Sequence, residues 1–334
     1  MSGRTGFRIG LLSAAHVHAP GYAAALARLP GVTAVLVTDD DDERGRSFAV
    51  RHRVTWEPDV DKLGAAVDGF IICAENDRHR WWWERAAAWG RPVLCEKPLA
   101  ISIEDGREML RLAQTTGTPL FTALPVRTLA PVATLRTAVR TGELGEILAV
   151  FGTNHGYLPP GWFQDPRRSG GGAVMDHGSH VVDLIRWICG REPTEVSAEV
   201  GNRLYGRAVD DSGLLLMTLD NGGLATLDPS WSRLPGFPTW GDVTLEVVGT
   251  AGRAWLDPLA EHLHLFGADA VTHRYVGYGE NMDDLLLKAF LEVVAGRPAP
   301  PTLATGADGF VGMAVSLAAY QSAADGRPVS VAQI

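Results

Sequence analysis

Two short stretches of this sequence hold a lysine, a carboxylate and an imidazole in arrangements that suggest chemistry. The first is Glu96-Lys97-Pro98, directly after the apolar run Val93-Leu94-Cys95. The second runs from Gly170-Gly171-Gly172 through Asp176, His180 and Asp183. The last three are spaced i, i+4, i+7, so on a helix they share one face and Asp176 neighbours His180. Such groups can move a proton on or off a carbinol while a hydride leaves it. His177 falls about 100° around the helix from Asp176 and is expected to point off that face. The plainer alternative is a buried Asp–His pair that only stabilises its helix. A metal reading of His155, Asp176, His177 and His180 is disfavoured, because His177 and His180 are only i, i+3 and no further ligand is fixed. No metal is expected.

These groups need elements to hold them. Phe7–Leu12 reads as a strand, followed by an Ala-rich helix through residue 29. Further strands are expected at 32–37, 68–73, 92–95 and 119–124, with helices around 81–89 and 104–116. Strands alternating with helices predict a parallel sheet covered on both faces, with ligands at the carboxyl ends of its strands. Asp39, Ala74 to Asn76 and Glu96-Lys97 all fall at such ends. Beyond residue 124 the pattern changes to a strand at 147–154 and a helix over Ala173–Cys189. Strands follow at 213–219, Leu224–Ser230, 243–248, 254–256, His262–Phe266 and 271–276. Asp220-Asn221-Gly222-Gly223 is a hairpin turn between two of them. Helices at 283–295 and 307–324 end the pattern.

The turn Gly10-Leu-Leu-Ser13-Ala-Ala15-His16-Val-His18 lies where a dinucleotide fingerprint belongs. Ser13, Ala15 and His18 stand at the three positions where G-x-G-x-x-G has glycine. The helix start can still offer amides to an anion. His16 and His18 either touch phosphate or cap and pack the turn. Asp39, at the end of the second strand, suits the two ribose hydroxyls of adenosine. It is followed by Asp40-Asp41-Asp42-Glu43, and no arginine precedes Arg44, so NAD is expected over NADP. Trp162 and Tyr157, on the loop before the glycines, suit stacking on a sugar ring or simple surface packing.

Composition narrows the classes. The 334 residues suggest two domains, and 46% hydrophobic with 21% charged residues is a globular balance. A net charge of -9 argues against a nucleic-acid partner. No apolar run reaches the roughly 18–20 residues of a membrane span. The start, Met1 to Arg8, has no signal-peptide core, and Cys73, Cys95 and Cys189 are isolated in apolar surroundings. Both observations point to a cytoplasmic protein without disulfides.

With these residues in view, the chain resembles the glucose–fructose oxidoreductase, inositol dehydrogenase and rhizopine-catabolism (Gfo/Idh/MocA) family. The resemblance rests on Val67 to Ile72 leading to Asn76 and His79, on Glu96-Lys97-Pro98-Leu99-Ala100, and on Arg127 to Pro131. It continues through Gly142 to Glu146, the D-x-x-x-H-x-x-D helix, Asp210-Asp211 and Gly249-Thr250. It implies an α/β protein: a Rossmann domain over 1–124, then a substrate-binding and oligomerisation domain over 125–334. The second domain would carry an open, mostly antiparallel sheet, through which members form homodimers or homotetramers. It implies an NAD-dependent dehydrogenase acting on a sugar, glycoside or cyclitol, with Lys97, Asp176 and His180 as the catalytic trio. Ser13, Ala15, His18, Asp39, Ala74, Asn76, His79 and Glu96 would meet the cofactor. Arg127, His155 and Trp162 would meet the substrate. Two departures stand out: the missing fingerprint glycines, and Glu75 in place of the usual proline before Asn76. An NAD-assisted glycosidase or epimerase and a non-catalytic nucleotide or sugar sensor are the alternatives.

Overall fold

The computed structural model describes residues 6–237, 239–260, 262–266, 273–277 and 279–334. Six parallel strands form the first sheet: β1 (Phe7–Leu12), β2 (Val32–Thr38), β3 (Thr55–Trp56), β4 (Gly69–Ile72), β5 (Val93–Cys95) and β6 (Leu120–Thr122). Their order is β3-β2-β1-β4-β5-β6. The strands are short and almost wholly apolar because helices cover both faces. Alternation along them sorts side chains between two cores. Ile9, Leu11, Val37 and Ile71 go to one core, and Leu12, Leu36, Phe70 and Ile72 to the other.

Helices α1 (Ala19–Leu26), α2 (Asp42–His52), α3 (Val60–Ala66), α4 (His79–Ala87) and α5 (Ile103–Thr116) connect these strands. Asp41, Asp59 and Ser102 cap α2, α3 and α5 by accepting backbone N–H bonds. Trp82 and Trp83 of α4 are buried in the core beside β4 and β5, as their apolar bulk dictates.

Next comes α6 (Ala130–Arg140), then a seven-stranded sheet of order β12-β11-β7-β10-β9-β8-β15. Its members are β7 (Ile147–Gly156), β8 (Pro193–Gly201), β9 (Ser212–Leu219), β10 (Leu224–Ser230), β11 (Gly241–Gly249), β12 (Arg253–Leu256) and β15 (Val329–Ser330). Only the β7–β10 pairing is parallel. The expected hairpin at Asp220 to Gly223 joins β9 and β10. A separate two-stranded ladder pairs β13 (His262–Phe266) with β14 (His273–Gly277). The expected strand at 271–276 is described from His273 on, and residues 271 and 272 lie outside the described residues.

Between the sheets run α7 (Pro166–Ser169) and α8 (Ala173–Cys189), and the last helices are α9 (Met282–Val294) and α10 (Gly306–Asp325). One face of the second sheet is covered by α8, where Val181 meets Gly152 of β7. Helix α9 returns to the first sheet and buries Leu286, Leu287 and Phe290 in the same core as Ile9 and Leu11. No described helix is long and apolar enough to cross a membrane.

Candidate active site

The carboxyl ends of β1 and β5 and the first turns of α8 converge on one cleft of about 380 Å³. Its walls include His18, Lys97, Tyr157, Asp176, His180 and Asp283. Lys97 leaves β5 on a loop whose Lys97–Pro98 peptide bond is cis. The start of α8 is clamped from outside. Asp210 accepts the amides of Gly172 (2.7 Å) and Val174 (2.8 Å), and the Tyr320 hydroxyl accepts those of Gly172 and Met175. A Cβ on residue 172 would fall 1.8 Å from the Asp210 carbonyl oxygen, so this close approach requires glycine.

Lys97, Asp176 and His180 meet in the cleft. The Lys97 ammonium donates to the Asp176 carboxylate and, at 3.1 Å, to the Asp176 carbonyl. The other carboxylate oxygen accepts the Trp231 indole N–H at 3.0 Å. Burial opposes the charge on Asp176, but Lys97 and His177 outweigh it and hold the carboxyl well below its usual range. His180 is 6% exposed, and its Nδ1 is buried without a partner. Burial, reinforced by the nearby charges of Lys97 and His177, pushes its pKa well below 6.5. A neutral imidazole with a free nitrogen thus stands one helical turn from the aspartate that Lys97 salt-bridges.

His177 departs from expectation. Its Nε2 lies 3.2 Å from Asp176, its Nδ1 lies 3.0 Å from the Asn154 carbonyl oxygen, and it lines the cleft. The helical phase is as expected, but β7 and the loop after it wrap the cleft around a second face of α8. Trp231 gave no local signal in the sequence, because it reaches Asp176 from 55 residues away.

The three proposed substrate residues lie elsewhere. Arg127 is 3% exposed and forms a buried two-pronged salt bridge with Asp183, with Asp308 3.5 Å away. A guanidinium so enclosed ties the 125–128 turn to α8 and α10. His155 points away from α8, because the inward positions of β7 are Asn154 and Gly156; it pairs with Asp242 (2.9 Å) and Asp228 (3.3 Å). Trp162 donates its indole N–H to the Ala15 carbonyl at 3.0 Å and stacks on Phe163, so it covers the dinucleotide turn.

The cofactor residues divide. Ser13 adopts a left-handed conformation, φ 68°, at the first fingerprint position, so glycine's backbone geometry survives without glycine. Asp39 is not free for ribose. It accepts the Ala14 amide (2.8 Å) and the Asp41 amide (3.0 Å), and Arg44 closes on it at 2.5 Å. Arg44 also reaches Glu75 at 3.0 Å, and Arg168 binds the same Glu75 oxygen at 2.5 Å. His79 is wholly buried, with Nδ1 2.9 Å from the Pro98 carbonyl and Nε2 3.3 Å from that of Ala74. His79 therefore spends both ring nitrogens bracing the Lys97 loop against the end of β4. Asn76 donates to the Ser169 carbonyl at 2.8 Å and keeps a buried, unpartnered Oδ1. Glu96 is fully buried behind the turn, 2.9 Å from His18. Among the described residues, the one three-ligand cluster with metal-site spacing is His16, His18 and Glu96, not the helical histidines.

A nicotinamide dinucleotide fits this arrangement: the cleft lies at the carboxyl ends of β1 and β5, and Asn76 Oδ1, beyond the end of β4, and His180 Nδ1 in the cleft wall are buried with nothing to bond. At the adenosine end, Arg44 has to turn away from Asp39. Fold and site together define a Rossmann-type nicotinamide-dependent oxidoreductase. Residues 7–124 match the model of the oxidoreductase family with an NAD-binding Rossmann fold, and residues 132–255 match the GFO/IDH/MocA C-terminal domain. The chain belongs to the Gfo/Idh/MocA oxidoreductase family. It is 28% identical over 326 residues to 1,5-anhydro-D-fructose reductase of Ensifer adhaerens, covering 91% of this chain and 92% of that one. It is 26% identical over 299 residues to myo-inositol 2-dehydrogenase of Thermotoga maritima, covering 86% and 85%. Its fold matches GenD2 from gentamicin A biosynthesis in complex with NAD, with a TM-score of 0.84 at 24% identity over 99% of both chains.

Proposed function

We propose that this oxidoreductase transfers a hydride between NAD and a hydroxyl or keto group of a sugar, glycoside or cyclitol. The observation that carries this reading is the neutral, unpartnered His180 beside the Lys97–Asp176 pair in one cleft. The relatives' names support the substrate class: an anhydrofructose reductase and an inositol dehydrogenase. Bound NAD supplies the hydride acceptor at its nicotinamide ring. His180 accepts the carbinol proton as the carbon–hydrogen bond breaks. Lys97 donates a hydrogen bond to the same oxygen and holds its developing negative charge. Asp176 aims Lys97, and Trp231 and His177 fix Asp176. His18 and Asn76 bind the cofactor on the Rossmann side.

The acidic groups around β2 support NAD over NADP, because Asp39, Asp40 and Glu75 all compete for Arg44. The same reading divides the chain at residue 124, with α9 docking back on the first sheet. The second sheet's outer face, bearing Phe151, Leu216 and Trp255, suits a homo-oligomer interface. Three free cysteines suit a reducing compartment such as the cytoplasm. Calorimetry with NAD, NADH, NADP and NADPH, followed by NADH absorbance over a panel of polyols and glycosides, tests the proposal. Tighter binding of NAD(H) and reduction of NAD by a polyol are expected. Failure of all four nucleotides to bind at millimolar concentration would sink it in favour of a sensor. Turnover with no net NADH would favour the glycosidase or epimerase.

A further inference from the structure

The turn that replaces the glycine fingerprint has little backbone left to offer an anion. The Ser13 amide donates to the Thr38 carbonyl (2.8 Å) and the Ala14 amide to Asp39 (2.8 Å). The Ala15 amide donates to the Ser13 hydroxyl (3.2 Å) and the His16 amide to the Cys73 carbonyl (2.9 Å). The His18 amide donates to His16 Nδ1 (3.2 Å) and the Ala19 amide to the His16 carbonyl (3.1 Å). In a glycine-rich turn such amides cradle phosphate. Here six of the seven amides from Ser13 to Ala19 are spent within the protein, and only that of Val17 is not.

What the turn does present is the His18 side chain. It stands on the cleft wall, 38% exposed, with Nδ1 turned inward to Glu96 at 2.9 Å. Glu96 is fully buried and also accepts the Lys97 amide at 3.1 Å. A buried carboxylate behind a half-exposed imidazole fixes the ring and leaves its other edge for a ligand. We propose that His18, backed by Glu96, holds the diphosphate of the dinucleotide in place of the missing fingerprint amides. This rests on the nicotinamide-cofactor reading above and adds the group that binds its anionic centre.

The charge state agrees. Burial opposes the charge on Glu96, yet His16, His18 and Lys97 keep its carboxyl far below the usual range. His18 is pushed down by burial but raised overall by Glu96, with Asp283 adding to the rise and Lys97 opposing it. His16, Tyr22 and His180 also face this ring; His16 is held neutral by burial, near 3, and His180 is neutral as well. The imidazolium therefore persists above the ordinary histidine range and is lost only as pH rises through its raised pKa. A charge-assisted bond to phosphate is stronger than a neutral one. A divalent cation on His16, His18 and Glu96 is the competing use of this cluster. It would have to displace the His18 amide from His16 Nδ1.

The test is the affinity of the full-length protein for NADH and for ADP-ribose, by fluorescence and calorimetry from pH 7 to 9.5, with adenosine as the phosphate-free control. For the wild type, both diphosphate ligands are expected to weaken as pH rises, while adenosine does not. His18→Gln is expected to bind both roughly 10- to 100-fold more weakly at pH 7, with a flat pH profile. His18→Gly should also be flat. A flat wild-type profile, or wild-type affinity in a folded His18→Gln, would overturn the proposal and leave His18 as a packing residue. Binding that requires added Mg²⁺ or Zn²⁺ and vanishes with EDTA would overturn it in favour of a metal site. No binding of NADH or ADP-ribose by the wild type at any pH would bring down the cofactor reading and this proposal with it.

Discussion

His155 sits between Asp228 and Asp242 on the second sheet, and the two carboxylates lift its pKa to about 9. Because the folded value lies above the ordinary 6.5, its stabilisation is complete below pH 6.5 and fades as pH rises through about 9. Urea denaturation of the wild type should show this loss between pH 7 and 9.5, and His155→Gln should flatten it. A sugar-binding His155 would instead leave stability unchanged and raise KM when replaced. Arg44 poses a second question at this scale. It is held by Asp39, Asp40 and Glu75, so a 2′-phosphate gains its guanidinium only by displacing carboxylates. NADP is expected to bind at least about tenfold more weakly than NAD, a difference of ~1.4 kcal/mol. Equal or tighter NADP binding in calorimetry would mean that Arg44 turns outward to the phosphate. Neither pairing was legible in the sequence. The end of β2 and its aspartate could be read from the strand pattern. That Arg44 folds back from the first turn of α2 depends on Glu75, which arrives from β4. The partners of His155 come from β10 and β11, and only strand order brings them together.

Helix α8 was the most legible element, because its apolar stripe, its three leading glycines and its terminal Gly190 mark both ends. Five of the six parallel strands, all but β3, were equally clear, since each is a short apolar run between turn residues. The helices α2, α3 and α6 and the strands β3, β8 and β15 carry weaker patterns and emerged only with the structure. The tethers between elements were the hardest to foresee. Arg127 reads as a pocket residue by position, yet Asp183 of α8 and Asp308 of α10 claim it. Replacing it with methionine leaves Asp183 buried and unpaired, which costs about 3–5 kcal/mol. Chemical denaturation of Arg127→Met should show that loss, while KM for a polyol substrate in the folded fraction stays near the wild-type value. A tenfold or larger rise in KM without a loss of stability would return Arg127 to the substrate site.

At the scale of the molecule, the outer face of the second sheet is an apolar surface that the chemistry leaves unused. Strand register places Leu216, Thr226, Phe151, Glu246 and Trp255 side by side on it, opposite the face that α8 covers. Phe151 is 48% and Trp255 68% exposed, more apolar surface than a solitary sheet face usually leaves to water. Light scattering should find a dimer or tetramer, and the double variant Phe151→Asp, Trp255→Glu should shift it toward monomer. A monomeric wild type would contradict that assignment without touching the chemistry. The proposed chemistry depends on β5 of one sheet and α8 beside the other presenting Lys97 and His180 to the same oxygen. Its most direct test is stopped-flow NADH formation with a polyol found active in the panel, comparing the wild type, Lys97→Met and His180→Ala, alongside NADH affinity for each. Proton-transfer groups of this kind are worth about 10²–10⁴-fold in rate, so kcat should fall by that much in both variants with NADH affinity nearly unchanged. Wild-type rates in a folded His180→Ala, or losses that track cofactor affinity alone, would contradict the account.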